Sequence, residues 1–366
     1  MTQSLISSTG NLLAFVRLGP SRLRALGAVV VSLALLGCAG SGLKPGTPTP
    51  AAATNAATNS ATNSATNAAT NAATDTPATA PQAQRLADGV YMLPGAVGVA
   101  DEHNLGRIGN AGFIVGPLGV LAIDTGTSLA HGRALLAAIR GVTTQPVRLA
   151  LITHTRPEFL FGGNAFREQG IPIQMHRRTA QLMAARCETC LKALVQQVGD
   201  EAMQGTTMYK PDVVFDAPQL LQTIGRPVQL LQAGHSSGPG DIAVLDVASG
   251  VLFAGGLLDA GRVPDIQDAD LPGWHRALAE LLALHPTQVV PGHGPPSPPS
   301  LINAVERYLT QLEARTRVLV AEGASLLTVP EMTELPEFAD WASYDTIHRR
   351  NASIAFLRFE RDLLLR

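Results

Sequence analysis

Three histidines in this chain each close an apolar run and begin a turn: His154 after "LALIT", His235 after "VQLLQAG" and His293 after "QVVPG". Short apolar runs bounded by turn residues read as buried strands. Imidazoles delivered to strand ends on loops converge easily, and metal sites are often built that way. A lone strand-end histidine is commonly structural. Three in the same local context point to one shared site at one end of the strands.

The remaining pattern supplies the frame. "GVYMLPG" and "NAGFIVG" read as short strands, and "GVLAIDTG" (119–126) as a buried strand ending at Asp124 and Gly126. "SLAHGRALLAAIRGV" has the spacing of an amphipathic helix and "PVRLALITH" is the next strand. Helix signals then run to about residue 200. A strand-rich block over 213–256 carries turns at Gly238-Pro239-Gly240 and Ser249-Gly250, which predict antiparallel pairing. "LPGWHRALAELLALHP" is a helix, "TQVVPGHGP" a strand entering a turn, and the C-terminal third is mostly helical. Two sets of strands, each followed by helices, predict two sheets packed face to face with helices outside. Periodicity alone supports a single α/β or α+β domain.

A chain of 366 residues with net charge −2 suits one large or two small domains, and no basic excess points to nucleic acid. The N-terminus lies outside the fold. Arg17, Arg22 and Arg24 precede the apolar stretch Leu26 to Leu36, which runs into Gly37-Cys38. That is the layout of a secretory signal peptide over 1–38, and it resembles the lipobox of bacterial lipoproteins, where the cysteine is lipidated. A plain signal peptide or a single membrane anchor is the alternative. Each of these places the rest of the chain outside the cytoplasm. Ala39 follows the cysteine, and by the same resemblance this favours the periplasmic side of the outer membrane, with a soluble periplasmic protein as the alternative. Residues 39–84 are an Ala/Thr/Asn-rich repeat without large apolar side chains, a disordered tether by composition. After residue 40 no apolar run is long enough to span a bilayer.

With Cys38 lipidated, the other two cysteines form the pair Cys187 and Cys190 in "RCETC". A zinc knuckle needs two more, so a local disulfide in an oxidising compartment is the expected state. A redox role would call for a preceding thioredoxin-like strand, and the surrounding "RRTAQLMAARCETCLKALVQQV" reads as helix.

At this point the motifs become specific. "GVLAIDTG", "LITHTRPEFLFGGNAF", "AGHSSGPGDIAVLD", "VLFAGGLLD" and "VVPGHGP" resemble, in order, the strand and loop motifs of the metallo-β-lactamase superfamily. The resemblance covers about residues 85–300 and implies a four-layer αββα sandwich of the α+β class that holds one or two zinc ions between its sheets. Residues 301–366 are then a helical extension packed on the same domain. "NAGFIVGPLGVLAIDTGTSLAHG", the "CETC" segment followed by "MQGTTMYKPD", and "YDTIHRRNASIAFLRFERDLL" further resemble the periplasmic quinoprotein relay system zinc metallohydrolases.

The departures decide the functional expectation. By the resemblance, His154 holds the first ligand place of the H-x-H-x-D-H motif, but Arg156, Glu158 and Phe159 stand where the second His, the Asp and the third His belong. Gly256 stands where a bridging Asp belongs. Any metal would fall to His154, Glu158, His235 and His293. Arginine stays protonated and has no free lone pair, so it repels a dication instead of binding one. Either the site is metal-free, with Arg156 paired to Glu158 in place of the cation, or one zinc is weakly held. Asp124 and Asp241 are expected to support the motif loop and the turn behind His235. His103, His131, His176, His275, His285 and His348 are expected on the surface or at caps, and Trp274 and Trp341 in the core or a groove. Gly234-His235-Ser236-Ser237-Gly238 has the letters of G-x-S-x-G, but it sits in a loop of the strand-rich block with no helix after it, so it offers no nucleophile elbow for a serine hydrolase. The expected function is a non-catalytic or weakly active accessory lipoprotein that binds a small molecule or a periplasmic protein. The alternative is a mononuclear zinc hydrolase of a small ester, thioester or amide.

Overall fold

A computed structural model describes residues 82–365. The signal peptide, Cys38 and nearly all of the tether lie outside the described residues. In chain order the elements are β1 Gln84–Ala87, β2 Val90–Leu93, β3 Ala111–Gly116, β4 Gly119–Ile123, α1 Leu129–Val142, β5 Val147–Ile152, α2 Pro157–Leu160, α3 Gly163–Arg167, β6 Ile173–His176, α4 Arg177–Val198 and β7 Val213–Phe215. They continue as β8 Gln219–Leu221, β9 Val228–Gln232, β10 Ile242–Asp246, β11 Val251–Asp259, α5 Leu271–Ala283, β12 Gln288–His293, α6 Ser300–Ala321, α7 Val329–Met332 and α8 Arg349–Leu364.

The strands form two sheets. One runs β1-β2-β3-β4-β5-β6-β7, antiparallel through β4 and parallel from there on. The other runs β12-β11-β10-β9-β8, with only the β11–β12 pair parallel. The period-2 alternation explains the layering. In β5, Leu149 and Leu151 join Leu121 and Ile123 of β4 in a core shared with Ile242 and Val244 of β10 and Val251 and Phe253 of β11. The intervening Ala122, Ala150 and Ile152 face the other way and pack on Leu135 and Ile139 of α1 and Met183 of α4. In the second sheet, Ala243, Leu252 and Ala254 face Trp274 of α5, Tyr308 and Leu312 of α6, and Phe356 of α8. Helices therefore cover the outer face of each sheet, giving the expected αββα sandwich. Strands buried on both faces read as continuous apolar runs, which is why β4, β5, β10 and β11 were visible in the sequence.

Two boundaries differ from expectation. β6 interrupts the stretch read as helix, because "IPIQMH" is too short to show a period of its own. β1 takes up Gln84, assigned to the tether, and pairs it with Met92. The helices start where capping chemistry allows: Ser128 accepts from the His131 N–H at α1, and Asp270 from the Gly273 N–H at α5. Among the described residues no helix is long and apolar enough to cross a membrane.

Candidate functional site

The chemistry collects where β4, β5, β11 and β12 end. β5 releases the chain into Thr153-His154-Thr155-Arg156, and the short α2 follows at once. This turn is fastened from two sides. Asp124, in the left-handed region at φ 59°, accepts from the Thr153 N–H at 2.8 Å and from its hydroxyl at 2.8 Å. The Thr125 N–H donates to the Phe159 carbonyl at 2.8 Å, and the Thr153 carbonyl accepts from Ile242 N–H of the opposite sheet at 3.0 Å. A strained carboxylate residue held by several bonds is a feature that folds retain where a loop must be aimed.

Thr153 Oγ1 also lies 2.7 Å from His154 Nδ1. Burial pushes the Asp124 carboxyl up to about 7, against the hydrogen bonds from Thr153. With Asp124 ionised, the single hydroxyl proton of Thr153 goes to that carboxylate, so Thr153 accepts from His154 Nδ1–H. Above about pH 7, where Asp124 is ionised, the free lone pair of His154 therefore lies on Nε2, which is buried and has no hydrogen-bond partner among the described residues. Burial, and then the neighbouring Arg156 charge, hold this imidazole neutral, with its pKa lowered to about 3.

His293 is arranged differently. Its Nδ1 lies 2.7 Å from Asp259 Oδ1 and its Nε2 3.0 Å from Glu158 Oε1. Both ring nitrogens face carboxylates, so both donate and the ring is an imidazolium. Burial opposes this charge, but Asp259 and Glu158 outweigh it and raise the His293 pKa. Arg156 completes the group: Nη1 is 3.4 Å from Asp259 Oδ2, and Nη2 is 3.4 Å from the Asp265 carbonyl. Burial alone would favour the neutral carboxyls. His293 and Arg156 reverse that and hold Asp259 well below the usual carboxylate range, and Glu158 likewise falls to about 2. Two buried anions thus meet two cations.

The sequence expectations can now be placed. His154, Arg156, Glu158, Phe159 and His293 come together. The Phe159 ring centroid lies 4.3 Å from that of His154 and 5.2 Å from that of His293. Arg156 pairs with Asp259, and the expected partner Glu158 is taken by His293; that expectation is corrected. Gly256 lies against the site: a β-carbon there would come within 2.8 Å of His154 Cδ2 and 2.8 Å of Ser237 Oγ, so the close approach requires glycine. His235 does not join the group. Its ring is exposed, with Nε2 2.7 Å from the Asp268 carbonyl. Asp241 is buried behind the same turn, where Oδ2 accepts from the Ser236 hydroxyl at 3.0 Å, the Ser237 hydroxyl at 2.6 Å and the Gly238 N–H at 2.8 Å.

Other placements differ from expectation. His131 is buried on α1, not superficial, whereas His176 and His348, though buried, stand at the N-caps of α4 and α8 as expected. Cys187 is buried and Cys190 half-buried, one turn apart on α4, and both are present as thiols. Asp259 was missed by the sequence reasoning. The carboxylate was sought at Gly256, yet the same strand ends three residues later in "LLD", beside His293 on the parallel strand.

A cleft of about 250 Å³ opens over this group, lined by His154, Arg156 and Glu158, by Ser237 and Asp241, and by Asp265 and Asp268 of the loop before α5. Zinc needs three or four converging donors with free lone pairs. Of the nitrogens, only His154 Nε2 offers one; both nitrogens of His293 are committed, Phe159 lies between the imidazoles, and Arg156 brings a positive charge. Among the described residues no group of three or more His, Cys, Asp or Glu side chains is placed to hold a metal ion. The residues as arranged do not fit the zinc that the resemblance implies.

Comparison with known proteins agrees with this architecture. The family model described as metallo-beta-lactamase superfamily matches residues 105–293. A metallo-beta-lactamase from Pontibacter korlensis superposes with TM-score 0.52 at 22% identity, over 63% of this chain and 99% of that one. A metallo beta lactamase from Hirschia baltica does so with TM-score 0.51 at 20% identity, over 63% and 98%. At these identities the likeness establishes the fold. No curated protein matches the chain.

Proposed function

Since the chain belongs to the metallo-beta-lactamase superfamily, we propose that it is a member whose metal centre has been replaced by fixed side-chain charges and whose cleft serves binding. The observation that carries this reading is the Arg156–Asp259–His293–Glu158 network. It puts a guanidinium and an imidazolium, with two compensating carboxylates, at the centre of the site. Without a metal to acidify it, water in the cleft has no strong activator. The N-terminal sequence supports export and anchoring through Cys38, at the periplasmic side of the outer membrane. The subgroup motifs support an accessory place beside quinoprotein-dependent oxidation.

One observation favours the alternative, a mononuclear zinc hydrolase: the Nε2 of His154 is partnerless, and His154 lines a cleft that Glu158 also lines. The test is the zinc content, by mass spectrometry, of protein purified from zinc-supplemented culture. Metal at background supports the fixed-charge reading. One zinc per chain that disappears in His154→Ala overturns it in favour of the hydrolase.

A further inference from the structure

The charges around the cleft do not cancel completely. Glu158 is held by His293, Asp265 by Arg350 at 2.6 Å, and Asp268 by Arg186. Arg156 is anchored to Asp259. Asp241 differs: among the described residues it makes no ion pair, and its three hydrogen bonds all arrive at Oδ2. Oδ1 receives none. Its carboxyl is buried, burial raises its pKa, and no side-chain cation is paired with it, so a cationic or strongly donating group in the cleft would complete it.

An independent observation lies on the same wall. His154 Nε2 is buried, carries a lone pair and has no donor. Both residues line the same cleft, and His154 and the Ser237 hydroxyl that donates to Asp241 Oδ2 both border the close approach at Gly256. Two acceptors without donors in one cleft, one of them on a carboxyl with no paired cation, call for a ligand that is cationic and carries several N–H donors. Anionic ligands meet the opposite conditions, since the one cleft guanidinium is already engaged.

We propose that the cleft binds a small primary ammonium compound, whose N–H groups donate to His154 Nε2 and to Asp241 Oδ1. This rests on the metal-free reading of the site and adds the class of ligand to it. A volume of about 250 Å³ admits a short alkyl amine or diamine.

The experiment is calorimetric titration of the purified full-length protein at pH 8 with 1,4-diaminobutane, against 1,4-butanediol and glutarate as probes of similar length. The expected result is a dissociation constant of millimolar or tighter for the diamine and no measurable heat for the diol or the dicarboxylate. His154→Phe, which keeps the ring and removes the acceptor, and Asp241→Asn should each weaken diamine binding about ten-fold or more. Asp241 also holds its turn, so the three-ligand series on the unmodified protein carries the test if that variant fails to fold. Equal binding of diol and diamine, tighter binding of glutarate, or no binding of any of them overturns the proposal. Zinc is measured on the same preparation. Metal-free protein that ignores the diamine defeats this inference alone, whereas one zinc per chain defeats the reading beneath it.

Discussion

Two histidines in this protein sit between two carboxylates, and they behave differently. His293 bridges Asp259 and Glu158 at 2.7 and 3.0 Å with its side chain 5% exposed. His275, on α5, bridges Glu306 and Glu313 of α6 at 2.7 and 2.8 Å with its side chain 27% exposed. Each triad carries two negative charges on one imidazolium. At His275, solvent and the nearby Arg317 take up the excess. At His293 little solvent is available, and Arg156 is drawn in to balance Asp259. The same local chemistry is an adjustable surface clamp in one place and a closed charge lattice in the other. Burial decides which, because a buried charge that loses its partner cannot fall back on water.

The sharpest way to break this comparison is Asp259→Asn. It leaves Arg156 and His293 both facing Glu158, so unfolding by urea should show a loss of about 3 kcal/mol, in the range for stranding one half of a buried pair. A loss below about 1 kcal/mol, the scale of exposed pairs, would mean that water reaches the lattice and that the two triads are alike.

The His275 clamp predicts a smaller effect with a definite pH sign. Its pKa is raised to about 9, first by the Glu313 hydrogen bond and then by Glu306, against burial. A group with a raised folded pKa stabilises fully below its unfolded value near 6.5 and loses that contribution as pH rises through about 9. Discounted for solvent screening, the contribution is on the order of 1 kcal/mol. The stability difference between the protein and His275→Gln should therefore be present at pH 6 and largely gone at pH 10. A difference that is flat across this range would show that the clamp carries no charge.

The sandwich was readable in the sequence because its inner strands are buried on both faces and announce themselves as apolar runs, as "VLFAGGLLD" and "RLALITH" do. The site was only partly readable. His154, Arg156, Glu158 and Phe159 lie on one turn, so their spacing fixes their company. His235 sits at a strand end just as His154 does, yet the backbone turn at Ser236–Gly238 points its ring outward to Asp268, and strand-end position alone does not carry ring direction. Asp259 was hidden for a related reason. Its partnership with His293 depends on the register of β11 against β12, which includes an irregularity between Gly255 and Asp259 that displaces the carboxylate from the expected place.

The smallest predicted effect concerns the cleft wall on α4. Cys190 lines the cleft and is half-buried, whereas Cys187 is 1% exposed. Burial, and then the neighbouring Cys190, push the Cys187 thiol up to about 12, so it is almost wholly protonated and a poor nucleophile at neutral pH. Brief treatment of the folded protein with iodoacetamide, followed by peptide mass mapping, should therefore modify Cys190 and leave Cys187 as a thiol. Stability should hardly change, since an added group on Cys190 points into open cleft. A ligand seated against His154 and Asp241 would slow that modification, because it occupies the same space. Equal labelling of both cysteines would instead mean that α4 opens at this turn, and that the cleft wall is less firmly packed than the sheet it covers.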